Sequence, residues 1–165
     1  MSPWLGTTAA RLRVHALALM TLIAVRLLLA RLGVEGTLRV ASFLGRPCAT
    51  REGDVTRVVR AVRRTGRRLP GAACLAQSIT VAGLLGTRPG DLSLVLGCQL
   101  TPHGWTAHAW VDCDGDRLEP VPGGSHVELA RYRWSDGWRI STSAGAAAAV
   151  PTCDEAPNAL LKDVG

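Results

Sequence analysis

Apolar residues in the first fifth of the chain run with no polar side. Residues 11–32, RLRVHALALMTLIAVRLLLARL, hold an unbroken apolar core from Ala16 to Val25, closed by Arg26. That core is short of the about 20 residues a membrane span needs. It has the length of a signal-peptide core, but the apolar pattern resumes after Arg26 and no small-residue cleavage site follows. The stretch reads as a helix buried in the protein or docked on a surface, with peripheral membrane contact through residues 11–32 as the second reading. Gly33 interrupts it, and Val34, Leu38, Val40 and Leu44 predict another short helix, which Gly45-Arg46-Pro47 stops.

The next pattern is amphipathic. Val55, Val58, Val59 and Val62 recur at helical spacing on one face, and Arg57, Arg60, Arg63, Arg64 and Arg67 cover the remainder. Asp54 suits the start of this helix, and Gly66 and Pro70 end it. Small residues, Pro70-Gly71-Ala72-Ala73, lead into a further helix that begins at Cys74 and runs to about Leu85, with Leu75, Ile79, Ala82 and Leu85 on its packed side. After the loop Gly86–Gly90 the period changes to two. Leu92, Leu94, Leu96 and Cys98 alternate with Ser93, Val95, Gly97 and Gln99, which predicts a strand. Trp105–Cys113 is a second strand with His108, Trp110 and Asp112 on one face. Asp114-Gly115 is a hairpin turn, and Asp116–Glu119 is the return strand, ended by Pro120. Ser125-His126-Val127-Glu128 has the form of a capping box and predicts a short helix through Tyr132. Trp134–Ile140 predicts a last hairpin about Asp136-Gly137. From Ser141 the chain is rich in Ala, Pro and Gly and reads as a disordered tail. The fold class is therefore α+β, in three stretches: a hydrophobic helical segment over 1–47, a core over 48–140 that packs a Cys-bearing helix on a small antiparallel sheet, and the tail over 141–165.

Charge divides the chain. Residues 1–70 carry 13 Arg against 3 acids, net +10, and residues 71–165 carry 6 basic against 10 acidic residues, net −4. A basic half can meet nucleic acid, an anionic membrane or an acidic polypeptide. Nucleic acid is set aside: there is no zinc-finger spacing, and Phe and Tyr occur once each, too few for stacking platforms. The Arg-rich helix is either a solvated face or a docking surface for an acidic partner. The five cysteines, at 48, 74, 98, 113 and 153, are odd in number and form no CxxC. Free thiols in a reducing cytoplasm fit this usage.

Candidate chemistry lies between Cys74 and Glu119. A thiolate is the nucleophilic form of cysteine, and a helix start favours it and offers N–H groups to a developing oxyanion. His108, borne on a strand, is fixed as a general base should be. If Asp114-Gly115 is a two-residue loop, Cys113 opposes Asp116, Trp110 opposes Glu119 and His108 opposes Val121. Glu119 then shares the face of His108 at a diagonal position, about 7–8 Å away at the backbone and within reach of its ring. Asp112 shares the face but stands roughly 13 Å along the same strand, too far to orient the ring. Cysteine, histidine and acid are the parts of a thiol acyl-transfer site, although each also has an ordinary reading, Cys74 as core and His108 as a histidine satisfied within the sheet. Cys98, His103, His108 and Cys113 are zinc-type ligands recurring every five residues, but on strands that spacing alternates faces, so no metal is assigned and no cofactor is expected.

The segment CLAQSITVAGLL, a strand, and then HAWVDCDGDRLEP resemble the leader peptidases of lasso-peptide biosynthesis, in the transglutaminase-like branch of the papain-like superfamily. The Arg-rich helix running into RRLPGAACL and the hydrophobic N-terminal region add to the likeness, which covers roughly residues 10–135. The resemblance implies a papain-like or transglutaminase-like core and a cysteine peptidase that cuts the leader from a ribosomally made precursor peptide. It makes Cys74 the nucleophile, His108 the base and Glu119, before Pro120, the third member, with the strand between them one residue shorter than the family pattern. It also implies partners: the precursor peptide as substrate, a separate small leader-recognition protein, since no such module precedes the Arg-rich helix, and an ATP-dependent lasso cyclase. Two other readings stand beside it: an acyltransferase using the same three residues, and a non-catalytic scaffold that binds a peptide.

Overall fold

A computed structural model of the chain describes residues 3–45, 52–71, 73–86, 91–118, 126–134 and 138–141. Helix α1 spans Pro3–Gly45 and is broken by non-helical backbone at Gly33, where the sequence predicts the divide between two helices. Just past the break, Thr37 Oγ1 donates to the Gly33 carbonyl at 2.6 Å, which satisfies an acceptor the kink releases. Helix α2 spans Glu52–Gly66 and buries Val58, Val59 and Val62, with Val55 half-buried, on the face that its spacing predicts. Helix α3 spans Cys74–Leu85. Its predicted packed side is buried at Ile79, Ala82 and Leu85, but so are Ser78, Thr80, Val81, Gly83 and Leu84. The helix is enclosed by α1 and α2 on one side and by the sheet on the other, so burial reaches around its whole circumference.

The approach of α1 to α3 is set by Gly83. A Cβ there would run into the Ala41 Cβ and stand 2.8 Å from the Ala41 carbonyl carbon, so the two helix backbones meet where neither carries a bulky side chain.

The sheet has five antiparallel strands in the order β3-β2-β1-β4-β5: β1 (Leu92–Thr101), β2 (Gly104–Cys113), β3 (Asp116–Arg117), β4 (Val127–Trp134) and β5 (Trp138–Ser141). Strand β1 is central. Its residues Leu92 and Leu94 and the β2 residues Val111 and Cys113 face the helices and join the core. The chain as a whole is a mixed α+β domain. β5 closes it against α1: Trp138 is 1 % exposed and its Nε1 donates to Ser42 Oγ at 2.7 Å. Tyr132 lies half-buried beside the same helix, and burial, followed by the negative charge of Glu35, pushes its phenol above the usual value.

Residues 127–134 correct the sequence reading. The helix predicted from Ser125 through Tyr132 is strand β4. The residues either side of Leu129 face Gly97 and Leu96 of β1, so Leu129 is an extra residue in the ladder, a bulge. The bulge brings Glu128 and Arg131 to one side, where the carboxylate accepts from Nε at 3.0 Å and Nη2 at 2.8 Å. The two residues stand three apart, a separation that reads as helical in sequence. What overrides the local cap signal is the open edge of β1, whose backbone groups need a partner. Arg131 also donates to Asp112 at 3.0 Å, and its hydrogen bond with Glu128 is the main cause of its raised pKa. Arg46 and Pro47 of the predicted stop and the turn at Asp136-Gly137 lie outside the described residues, as does the predicted tail except Ser141, which ends β5.

The Gly83 contact yields a first prediction. Gly83→Ala should lower unfolding free energy by about 1–3 kcal/mol in denaturant titration, because the helices must move apart to admit a methyl group. An unchanged midpoint would show that they are not in contact there.

Candidate active site

Cys74 is the first residue of α3 and is exposed, whereas nearly everything after the first turn is buried. The residue before it, Ala73, is extended and has no side chain that could cap the helix. The first intrahelical bond is from Gln77 N–H to the Ala73 carbonyl at 3.2 Å. The N–H groups of the first turn, beginning with that of Cys74, therefore have no intrahelical acceptor and are placed to meet a negative oxygen.

One hydrogen bond ties this helix to the histidine strand. Ser78 Oγ donates to the Ala109 carbonyl at 3.0 Å in a buried setting. Its direction follows from the ladder. The Val111 carbonyl accepts from Leu118 N–H on the β3 side of β2, and carbonyls two residues apart on a strand point the same way. Ala109 therefore presents its carbonyl to the same edge, beyond the two residues of β2, Asp112 and Cys113, that β3 pairs. Among the described residues, α3 meets this edge of β2 through the Ser78 hydroxyl. Cys74 is four residues before Ser78, on the same helix face, and His108 is the neighbour of Ala109. Cys74 thus stands on the helix that Ser78 ties to the strand of His108, and no hydrogen bond joins the two residues in this structure. Such bonds in ligand-free sites commonly tighten only when substrate binds.

The His108 ring is not a lone feature of the sheet. It meets the His126 ring edge-on, with centroids 4.9 Å apart and planes at 79°. His126 in turn meets Trp110 at 5.7 Å, and the Arg117 guanidinium lies 4.4 Å over the Trp110 ring. Room for this group comes from Gly97, which opposes His108 on β1: a Cβ there would fall 2.7 Å from the Trp110 ring and 2.8 Å from the Val127 carbonyl oxygen. Trp110 is 3 % exposed, and its Nε1 has no hydrogen-bond acceptor among the described residues.

The predicted turn is present. Asp114 and Gly115 have φ of 53° and 88°, as a type I′ hairpin requires, and Cys113 opposes Asp116 as counted from the sequence. Glu119 itself lies outside the described residues. Asp112 is held by Arg131 and is committed to the sheet. Cys98 is half-buried on β1 and Cys113 is buried, and among the described residues no group of three or more potential ligands could hold a metal.

A family model described as the transglutaminase-like superfamily matches residues 19–135. The chain belongs to the transglutaminase-like superfamily. The match runs from within α1 to the end of β4, and so takes in Cys74, the His108 strand and His126. Comparison with curated proteins returned no match, and comparison with solved structures returned none either. Members of this superfamily are typically cysteine proteases or acyltransferases, and both chemistries begin with a thiolate attacking a carbonyl.

In sequence His126 reads only as part of a helix cap, and its contact with His108 is open to a direct test. In His126→Ala the imidazole proton resonances of His108, assigned by their loss in His108→Gln, should move, and in His126→Phe they should stay closer to the native positions. Identical spectra in all backgrounds would show that the rings do not touch.

Proposed function

We propose that the protein is a cysteine peptidase that removes the leader from a lasso-peptide precursor. The observation that carries the reading is the exposed Cys74 at the uncapped start of a buried helix, braced through Ser78 against the strand of His108, in a transglutaminase-like chain. The resemblance of CLAQSITVAGLL and HAWVDCDGDRLEP to lasso leader peptidases supplies the substrate.

The chemistry follows from the parts. His108 takes the Cys74 thiol proton as the sulfur attacks the carbonyl carbon of the leader–core peptide bond. First-turn N–H groups of α3 hold the oxyanion. Collapse of the tetrahedral species breaks the C–N bond, and His108 gives its proton to the departing amine, the N-terminus of the core peptide. The leader is left as a thioester on Cys74. A water molecule, losing a proton to His108, attacks that thioester, and the leader departs with a free carboxyl group while the thiol regains its proton. Glu119 is the acid that orients His108. His126, itself packed on Trp110, lies against the His108 ring and limits its motion. A separate leader-recognition protein delivers the precursor, and an ATP-dependent cyclase closes the ring on the released core. The work is cytoplasmic, where precursor and ATP are both at hand.

Intact-mass analysis of the protein mixed with its precursor and a leader-binding partner tests this. The expected products are two fragments whose masses sum to the precursor plus one water, and they should vanish with Cys74→Ala and with His108→Ala. Glu119→Gln should slow cleavage by about 10²-fold or more, as loss of an orienting carboxylate does elsewhere. A product lacking the added water and carrying an amine would make the protein an acyltransferase. Equal cleavage by Cys74→Ala would remove the nucleophile assignment altogether.

A further inference from the structure

Helix α1 is apolar on two faces. The inner face, with Ala18, Leu22 and Val25 at 0–1 % exposure, is part of the core. The outer face carries Leu12, Ala16, Leu19, Met20, Ile23 and Leu27, which recur at three- and four-residue spacing and are all exposed. Leu12, Met20 and Leu27 are 67–69 % exposed, so they stand out from the surface. From Leu12 to Leu27 the ridge is about 22 Å long. By length and composition Leu12–Leu44 could cross a membrane, but its inner face is occupied by the domain's own core. A helix so held can lie on a bilayer and cannot also be surrounded by one.

Charge decides what covers the ridge. No Asp or Glu occurs before Glu35. Exposed Arg13 and Arg31, about five turns apart, border one edge of the ridge, and Arg26 borders the other. At its start, Leu12, Ala16 and Leu19 share a groove of about 490 Å³ with Arg64, in the last turn of α2, and Arg68, just past its end. A protruding apolar ridge edged by guanidinium groups on long aliphatic stems is the form that enters a headgroup layer, where arginine reaches phosphate while its stem stays apolar. A smaller hollow of about 220 Å³ lies further along the ridge at Ile23, Arg26 and Leu27, so apolar surface and guanidinium groups alternate along its length, with no carboxylate before Glu35 to pair with a basic partner.

We propose that the outer face of α1, with Arg13, Arg26, Arg31, Arg64 and Arg68, binds the surface of an anionic lipid bilayer and seats the domain there without crossing it. This goes beyond the peptidase reading and does not depend on it.

Flotation of the whole protein with vesicles tests the proposal. It should float with vesicles of equal parts phosphatidylglycerol and phosphatidylcholine, at least about tenfold more tightly than with phosphatidylcholine alone, and 1 M salt should reduce that preference. Met20→Gln/Ile23→Gln/Leu27→Gln should weaken binding about tenfold or more with the thermal unfolding midpoint kept. Should that variant fail to fold, Arg13→Gln/Arg31→Gln/Arg64→Gln, which leaves every apolar contact in place, should lose the anionic preference. No flotation with either vesicle, or equal flotation of wild type and both variants, would overturn the proposal. So would self-association of the wild type, abolished by the apolar variant and without lipid binding: that result would assign the ridge to a second copy of the chain.

Discussion

Most of α3 beyond its first turn is buried, yet Cys74, its first residue, stands in solvent. The Ser78–Ala109 hydrogen bond lies between these two regimes, and much of the arrangement depends on it. The serine hydroxyl satisfies a strand carbonyl that would otherwise face an apolar helix. Leaving such a group unpaired costs about 1–3 kcal/mol. The bond also fixes the helix along its own axis against β2. Without it α3 could slide by a fraction of a turn, and the spacing between its first residue and the histidine strand would be lost. Packing against α1 holds the same helix from behind, with Gly83 and Ala41 allowing the backbones to close.

The sheet face that bears His108 is built differently from the one that meets the helices. It is lined by rings and charges: His108, His126 and Trp110, then Arg117 over the indole, then the Asp112–Arg131–Glu128 ion pairs. Gly97 opens the space for the rings, and the bulge beside it turns β4 so that Glu128 can reach Arg131. One irregularity in the strand ladder thus serves both the aromatic wall and the ionic cluster. In the transglutaminase-like superfamily to which the chain belongs, cysteine protease and acyl-transfer chemistry are typical, and a histidine confined on this face is suited to either.

Much of this was legible in the chain. Period-two alternation located β1 and β2, valines at helical spacing gave the buried face of α2, and Asp114-Gly115 gave both the turn and the Cys113–Asp116 register. These signals are local, and each is read within a dozen residues. What escaped was set by distant partners. Ser-His-Val-Glu has the sequence of a helix cap, but the vacant edge of β1 claimed the segment after it as a strand, and with the helix reading went the chance to see His126 beside His108. Gly97 was the available clue, since an isolated glycine within an apolar strand marks a bulge or a close approach. Burial around all of α3 was also hidden, because a helix enclosed from every direction has no polar side to give it a period.

The central claim is that Cys74 and His108 act as a unit. The rate at which iodoacetamide alkylates Cys74, followed by peptide mapping across pH in the wild type and in His108→Gln, tests it most directly, because it needs neither substrate nor partner. If the pair is coupled, His108→Gln will slow alkylation of Cys74 near neutral pH by about tenfold or more and change the shape of the pH profile. Superimposable profiles would contradict the account, leaving Cys74 as an exposed thiol with no base.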